Sequence, residues 1–283
     1  MRGIIATMKG IAMPRKGKDK MKIPDSLKRY GLAKVFDYLD KDPMNNMAKV
    51  MELVNKFAGP ETLATQRQAF DNVINDENSC WHQLIEKVWT QTDPNVLKTL
   101  FNNFFVNANL VGWPKQEENR KKYGCNIPWA ILLDPTSACN LHCTGCWAAE
   151  YGNKLNLSFD EMDNLITQGK ELGIYFYIYT GGEPLVRKQD LIALCQKHHD
   201  CIFLSFTNGT LIDEAFAQDM LRVKNFIPAI SVEGTQESHD ARRGAGSYAK
   251  VLAAMQLLKA HRLPFGVSCC YTSQNVDVIG REE

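Results

Sequence analysis

The stretch "DPTSACNLHCTGCWAAEYG", residues 134–152, places Cys139, Cys143 and Cys146 at C-x-x-x-C-x-x-C spacing directly after an apolar run. Thiols this close in sequence are a metal-binding pattern. A structural zinc ion asks for four ligands in a tetrahedron, usually as two separated pairs. No second C-x-x-C or H-x-x-x-H pair occurs in the chain, and His142 reaches the same ion only by folding back on its own short loop. Thiolates also hold iron–sulfur clusters, normally four to a four-iron cluster, so three leave one iron with an open position. An open iron is a place to bind and activate another molecule.

Such a loop has to be held by elements that end beside it. From residue 127 onward, short β-rich apolar runs alternate with amphipathic helical stretches, the pattern of repeated strand–helix units and a parallel sheet. The strands are predicted at "WAILLD" (129–134), "YFYIYT" (175–180), "CIFLSFT" (201–207), "PAISVE" (228–233) and "PFGVSCCY" (264–271). Helices are predicted at "SFDEMDNLITQGKELG", with Ser158 as cap and Glu161 three residues on, at "KQDLIALCQKHH", at "DEAFAQDMLRVK" and at "SYAKVLAAMQLLKAH". Residues 24–112 read instead as helices broken at Asp42-Pro43, Gly59-Pro60 and Asp93-Pro94, and the polar segment 114–124 reads as a linker.

The loop "CNLHCTGCW" resembles the signature loop of the radical S-adenosylmethionine (radical SAM) enzymes, and the rest of the half matches that family in order. "YIYTGGEP" puts Gly181, Gly182, Glu183 and Pro184 at the end of the second predicted strand; "LSFTNGT" supplies Thr207, Asn208 and Gly209 at the third. "AISVEGTQESHDARRGAGSY" supplies Ser231, Glu233, Gly234, His239, Asp240 and Arg243, with Glu where the family's Ser-x-Asp-Gly has Asp. The motif style is closest to the SPASM/twitch-type branch, whose C-terminal extension carrying extra clusters is not seen here. The resemblance covers about 127–275 and implies an α/β fold, a partial (βα) TIM-like barrel with about five of six repeats.

It further implies a 4Fe-4S cluster on Cys139, Cys143 and Cys146, with S-adenosylmethionine on the remaining iron, cleaved reductively to a 5'-deoxyadenosyl radical that abstracts hydrogen from a substrate. Gly181, Gly182, Glu183 and Pro184 are expected near the methionine amino group, Asn208 and Ser231 at the methionine and ribose ends, Glu233 at the ribose hydroxyls, Arg243 at the carboxylate, and Trp147 packing beside the cofactor. Arg242 is a near neighbour that competes for the role of Arg243. His239 and Asp240 are expected to stabilise a turn before the next helix, and the catalytic groups beyond the cofactor stay unassigned. The reducing partner implied is a flavodoxin- or ferredoxin-type electron donor. The substrate is unidentified, with peptide modification favoured by the His-Asp-x-x-Arg segment.

The chain of 283 residues is 45% hydrophobic and 23% charged with a formal net charge of +1, which supports a globular protein and no chain-wide argument for nucleic acid. The bias is local. Residues 1–22 carry Arg2, Lys9, Arg15, Lys16, Lys18, Lys20 and Lys22 against Asp19, a cationic arm suited to a membrane surface or an anionic partner. No secretory signal or apolar transmembrane run is evident, so the expected address is cytoplasmic, with cysteines reduced or metal-bound. Cys80, Cys125, Cys195, Cys201, Cys269 and Cys270 are read as small buried hydrophobes. The expected organisation is a basic arm at 1–23, a helical domain and linker at 24–124, and a radical SAM core at 125–283 that is truncated at its C-terminus. Alternative readings are a non-catalytic iron–sulfur binding or sensing module on the same fold, or a truncated inactive fragment.

Overall fold

The computed structural model describes residues 24–57 and 64–279, and the basic arm lies outside them. The chain forms two compact units that divide between Asn102 and Asn103. In the first, helices α1 (Asp25–Leu39), α2 (Pro43–Phe57), α3 (Ala64–Asn75), α4 (Cys80–Gln91) and α5 (Pro94–Phe101) follow one another. Ser79 and Asp93 cap α4 and α5 by accepting from backbone amides of the first turn, as the Asp-Pro pair at 93–94 predicts. Val35, Leu39, Met47 and Ile74 form the core of this unit. Phe36 stacks on Trp89 at 5.6 Å between ring centroids, and the Trp89 indole donates to Asp40 Oδ1 at 3.1 Å.

The second unit is built on a parallel sheet of strands β1 (Ala130–Leu133), β2 (Phe176–Tyr179), β3 (Ile202–Thr207), β4 (Phe226–Ser231) and β5 (Gly266–Ser268), in that spatial order. Helices α7 (Phe159–Leu172), α8 (Lys188–Lys197), α9 (Glu214–Val223), α10 (Gln236–Arg243) and α11 (Ser247–Ala260) make the crossovers. Consecutive parallel pairing with helical crossovers is the α/β topology of an incomplete strand–helix barrel. Tyr177, Tyr179 and Phe203 are fully buried in it, with Phe203 stacked at 5.7 and 5.6 Å from the two tyrosine rings. The predicted capping box of Ser158 and Glu161 is present at α7. β4 begins at Phe226, ahead of Pro228, because it pairs with β3 from Phe226 while β5 joins it only at Ala229.

The segment expected to be a linker is helical. A π-helical stretch, Asn102–Gly112, leads into helix α6 (Trp113–Tyr123), and residues 103–123 group with the sheet unit instead of separating it from what precedes. The reason lies in the polar residues that made this stretch look solvated. The last carbonyls of a helix have no partner within it. At the end of α7, Lys115 Nζ donates to Lys170 O at 2.9 Å, Asn119 Nδ2 to Leu172 O at 3.2 Å and Gln116 Nε2 to Gly173 O at 2.8 Å. Asn103 and Asn107 do the same before β3, donating to His199 O, Cys201 O and Asp200 O at 2.8 to 2.9 Å. Polarity here is the means of docking.

Gln116 is fully buried, whereas Lys115 is exposed. Gln116→Ala is therefore expected to lower the unfolding free energy by about 1–3 kcal/mol, the cost of stranding a buried carbonyl. Lys115→Ala is expected to cost no more than about 0.5 kcal/mol. Urea unfolding of the two variants checks the contrast.

Candidate functional site

The cysteine loop leaves β1 and crosses the carboxyl ends of the strands, where such sheets place ligands. Its start is held in two directions. Ser137 N donates to Leu155 O at 2.8 Å and Leu157 N to Pro135 O at 3.1 Å, so 135–137 lie beside the segment leading into α7. Across from it, Gly182 N donates to Thr136 O at 2.9 Å and Glu183 N to Ala138 O at 2.8 Å. The turn after β2 thus runs hard against the loop. A Cβ on Gly182 would lie 2.3 Å from Ala138 O and 2.5 Å from Ser137 O; on Gly181, whose φ is +101°, it would lie 2.7 Å from Thr136 O. The glycine pair is required by the loop's own backbone before any ligand is considered.

Glu183 is 1% exposed and has its oxygens occupied: Oε1 accepts from Leu185 N at 2.9 Å and Thr207 Oγ1 at 2.6 Å, Oε2 from Asn208 N at 2.7 Å. Burial pushes its pKa up, opposed by these same bonds, Thr207 foremost. Gly209 N donates to Thr207 Oγ1 at 3.0 Å, which leaves the threonine proton for the carboxylate. Glu183 was expected as an acceptor near the methionine amino group. In the structure its carboxylate instead ties the end of β2 to the end of β3. Pro184 follows it at the start of a short 3-10 turn, Pro184–Arg187.

Asn208 reaches back to the loop, donating to Asn140 Oδ1 at 2.8 Å with Cys139 Sγ 3.9 Å from the same nitrogen. Asn140 in turn donates to Thr210 Oγ1 at 2.9 Å. Further along, Thr144 N donates to Arg242 O at 2.8 Å, and Cys146 N to Cys143 O at 3.2 Å. The loop is therefore fastened at the ends of β2 and β3 and at the end of helix α10, by the very segments that the sequence singled out.

Glu233, just past β4, is fully buried. Its Oε1 accepts from Arg243 Nε at 2.7 Å and from Arg242 Nη1, and its backbone N–H donates to His239 Nδ1 at 3.4 Å. Arg243 and Arg242 thus share one carboxylate oxygen, an engagement that sequence reasoning did not anticipate. His239 and Asp240 lie on helix α10 and not in a loop: the Thr235 side chain caps a helix there, accepting from Ser238 N. Asp240 supports the next element as expected, accepting from Gly246 N at 3.0 Å and Tyr248 N at 2.9 Å at the start of α11. Ser231 closes β4, half-buried.

Cys139, Cys143 and Cys146 line one cavity of about 320 Å³ with Ser137, His142 and Gly182. A neighbouring cavity of about 370 Å³ shares Ser137 and Gly182 and adds Asp134, Gly181, Trp147 and Tyr151. Trp147 is 59% exposed and meets Tyr151 edge-on at 5.8 Å, so it walls a cavity and is not a core aromatic. Burial raises the pKa of Cys139 and Cys143, with Arg243 opposing at Cys143. Among the described residues no three His, Cys, Asp or Glu side chains converge tightly enough to hold one metal ion. Three thiols around a shared cavity suit instead a group that takes each thiolate on a different iron. Of the six other cysteines, Cys195 and Cys201 are buried as expected, but Cys80, Cys125, Cys269 and Cys270 are exposed, because they fall at element ends or beyond them.

The model of the radical SAM superfamily matches residues 133–277. The chain is 30% identical over 167 residues to the cysteine-type anaerobic sulfatase-maturating enzyme of Clostridium perfringens, over 52% of this chain and 45% of that one. It is 30% identical over 143 residues to the mycofactocin maturase MftC of Mycobacterium ulcerans, over 49% of this chain and 38% of that one. The chain therefore spans about half the length, or less, of the curated relatives it matches. A crystal structure of Streptococcus suis SuiB bound to precursor peptide SuiA shares the fold, with a TM-score of 0.51 at 16% identity over 67% of this chain and 41% of that one.

Gly182 and Gly266 offer a paired test of the loop's packing, since a Cβ at Gly266 meets nothing within 4 Å. Gly182→Ala is expected to destabilise the sheet unit by about 1–3 kcal/mol through overpacking, and Gly266→Ala by much less. Chemical denaturation followed by circular dichroism measures both.

Proposed function

This chain belongs to the radical SAM superfamily, and from that premise we propose that it is an enzyme that generates a carbon radical to abstract hydrogen from a peptide substrate. The family's cofactors are a 4Fe-4S cluster and S-adenosylmethionine. The observation that carries the reading is the convergence on one loop: contacts from the ends of β2, β3 and helix α10 hold the three cysteines around a single cavity. Cys139, Cys143 and Cys146 are the cluster ligands in this proposal, and the second cavity beside them receives S-adenosylmethionine and the reacting part of the substrate. Bound there, cluster and cofactor supply a one-electron reductive cleavage that yields the hydrogen-abstracting species.

The chain's own residues place and shield that chemistry. Gly182 lines both cavities and Gly181 the second, so this part of the lining has no side chains and forms a floor. Glu183 keeps that floor fixed through the bonds from Leu185, Thr207 and Asn208, and Pro184 starts the short turn that follows it. Asn208 steadies the loop at Cys139, and Ser231, which ends β4, is assigned in this proposal to the ribose end of the cofactor. Glu233 and Arg243 put a guanidinium near Cys143, suited to a carboxylate. Trp147 and Tyr151 form an apolar wall that limits water. The peptide class is supported by the relatives, named as maturases of a sulfatase and of mycofactocin, and by the neighbour bound to a precursor peptide. The electron donor in this proposal is a flavodoxin- or ferredoxin-type protein. Among the described residues no helix is long and apolar enough to cross a membrane.

Anaerobic reconstitution with iron and sulfide, followed by assay for 5'-deoxyadenosine with S-adenosylmethionine and dithionite, tests the proposal. The wild-type chain is expected to take up a cluster and release 5'-deoxyadenosine, and Cys146→Ala to do neither. An intact cluster without cleavage would leave an iron–sulfur binding or sensing module in place of the enzyme.

A further inference from the structure

Glu233 is a carboxylate with no solvent contact, which is costly unless charge and hydrogen bonds compensate it. The compensation is lopsided. Arg242 and Arg243 both close on Oε1, while Oε2 is buried without a hydrogen-bond partner. An ion pair serving stability alone gains most by sharing both oxygens with its guanidinium groups. Gathering two successive arginines on one atom does something else: it pins the side chains on either side of the Arg242–Arg243 peptide. The carbonyl of that peptide is the acceptor for Thr144 N at 2.8 Å. Thr144 opens the tight turn in which Gly145 has φ +67° and Cys146 N donates to Cys143 O, so its amide governs the placement of two thiols.

We infer that Glu233 and Arg242 are positioning residues for the cysteine loop: the buried carboxylate fixes the end of α10, and the Arg242 carbonyl fixes the turn between Cys143 and Cys146. This rests on the reading that these cysteines hold a cluster. It also accounts for glutamate at 233 where the family pattern has aspartate. With one methylene fewer, the carboxylate falls short of the two guanidinium groups as they stand. Cys139 is held separately, through Asn208 and Asn140, and is independent of the clamp.

The test compares wild type with Glu233→Gln, Glu233→Asp and Arg242→Gln, and with Arg222→Gln as control, since Arg222 pairs with Asp219 on an exposed helix face. In reduced apoprotein, alkylation by iodoacetamide is followed cysteine by cysteine by mass spectrometry. Cys143 and Cys146 are expected to react faster in the three clamp variants, with Cys139 and the control unchanged. In reconstituted protein, iron retention against a chelator is expected to weaken about 10–100-fold, the usual effect of losing a residue that supports a metal ligand. Wild-type alkylation ratios and iron retention in the clamp variants would overturn the inference. So would equal acceleration at all three cysteines, which marks general loosening. Should Glu233→Gln fail to fold, Arg242→Gln decides the matter, because Arg243 still pairs the buried carboxylate. Should wild type take up no cluster, the proposed function fails, and the alkylation pattern still judges the clamp.

Discussion

Two backbone hydrogen bonds, from Gly182 and Glu183 to Thr136 and Ala138, set the distance between the turn after β2 and the loop after β1. Everything at the mouth of the sheet follows from that closeness. It allows no side chain at 181 or 182, it puts Gly182 in the lining of both cavities, and it buries Glu183 at the seam. A buried carboxylate at a seam needs several donors. Glu183 finds them in Leu185, Thr207 and Asn208, and so carries the constraint from β2 to β3. The loop's place is thereby tied to the sheet's register.

The same logic recurs away from the site. Side-chain amides of Asn103, Asn107, Gln116 and Asn119 complete carbonyls that the secondary structure leaves open, and Asn225 Nδ2, fully buried, serves the carbonyls of Cys195, His198 and Cys201. The unit is held at its rim by directional polar contacts as much as by its aromatic core. Such contacts restrict where an element can sit and leave little freedom for sliding.

Legibility in the sequence tracks locality. The five strands, the Ser158 capping box and the Asp93 cap depend on neighbours a few residues away and were readable. The glycine pair and the cysteines were readable as an unusual concentration of special residue types. Their mutual contact was not, because it needs two strands in register. The stretch 114–124 misled because buried amides and solvated ones look alike until their acceptors are known. Glu233 was read as an acceptor for the ribose hydroxyls. Its bond to Arg242 depends on α10 being helical, and the short polar run "QESHDARR" gives no apolar periodicity to announce a helix. The exposed Cys269 and Cys270 follow β5, where nothing in residue type distinguishes a strand's interior from its end.

The order of the sheet has a consequence for how the protein is made. Each strand pairs with the one before it, so as the chain leaves the ribosome the sheet can grow from one side without waiting for distant partners. The cysteine loop does not share that advantage. Its thiols are synthesised early, yet Asn208 and then Arg242 arrive only after β3 and β4 have formed. The set of contacts that holds the loop around one cavity is therefore complete only when α10 has been added. The last contact to that loop in chain order is thus the one from Arg242, eleven residues past the end of β4.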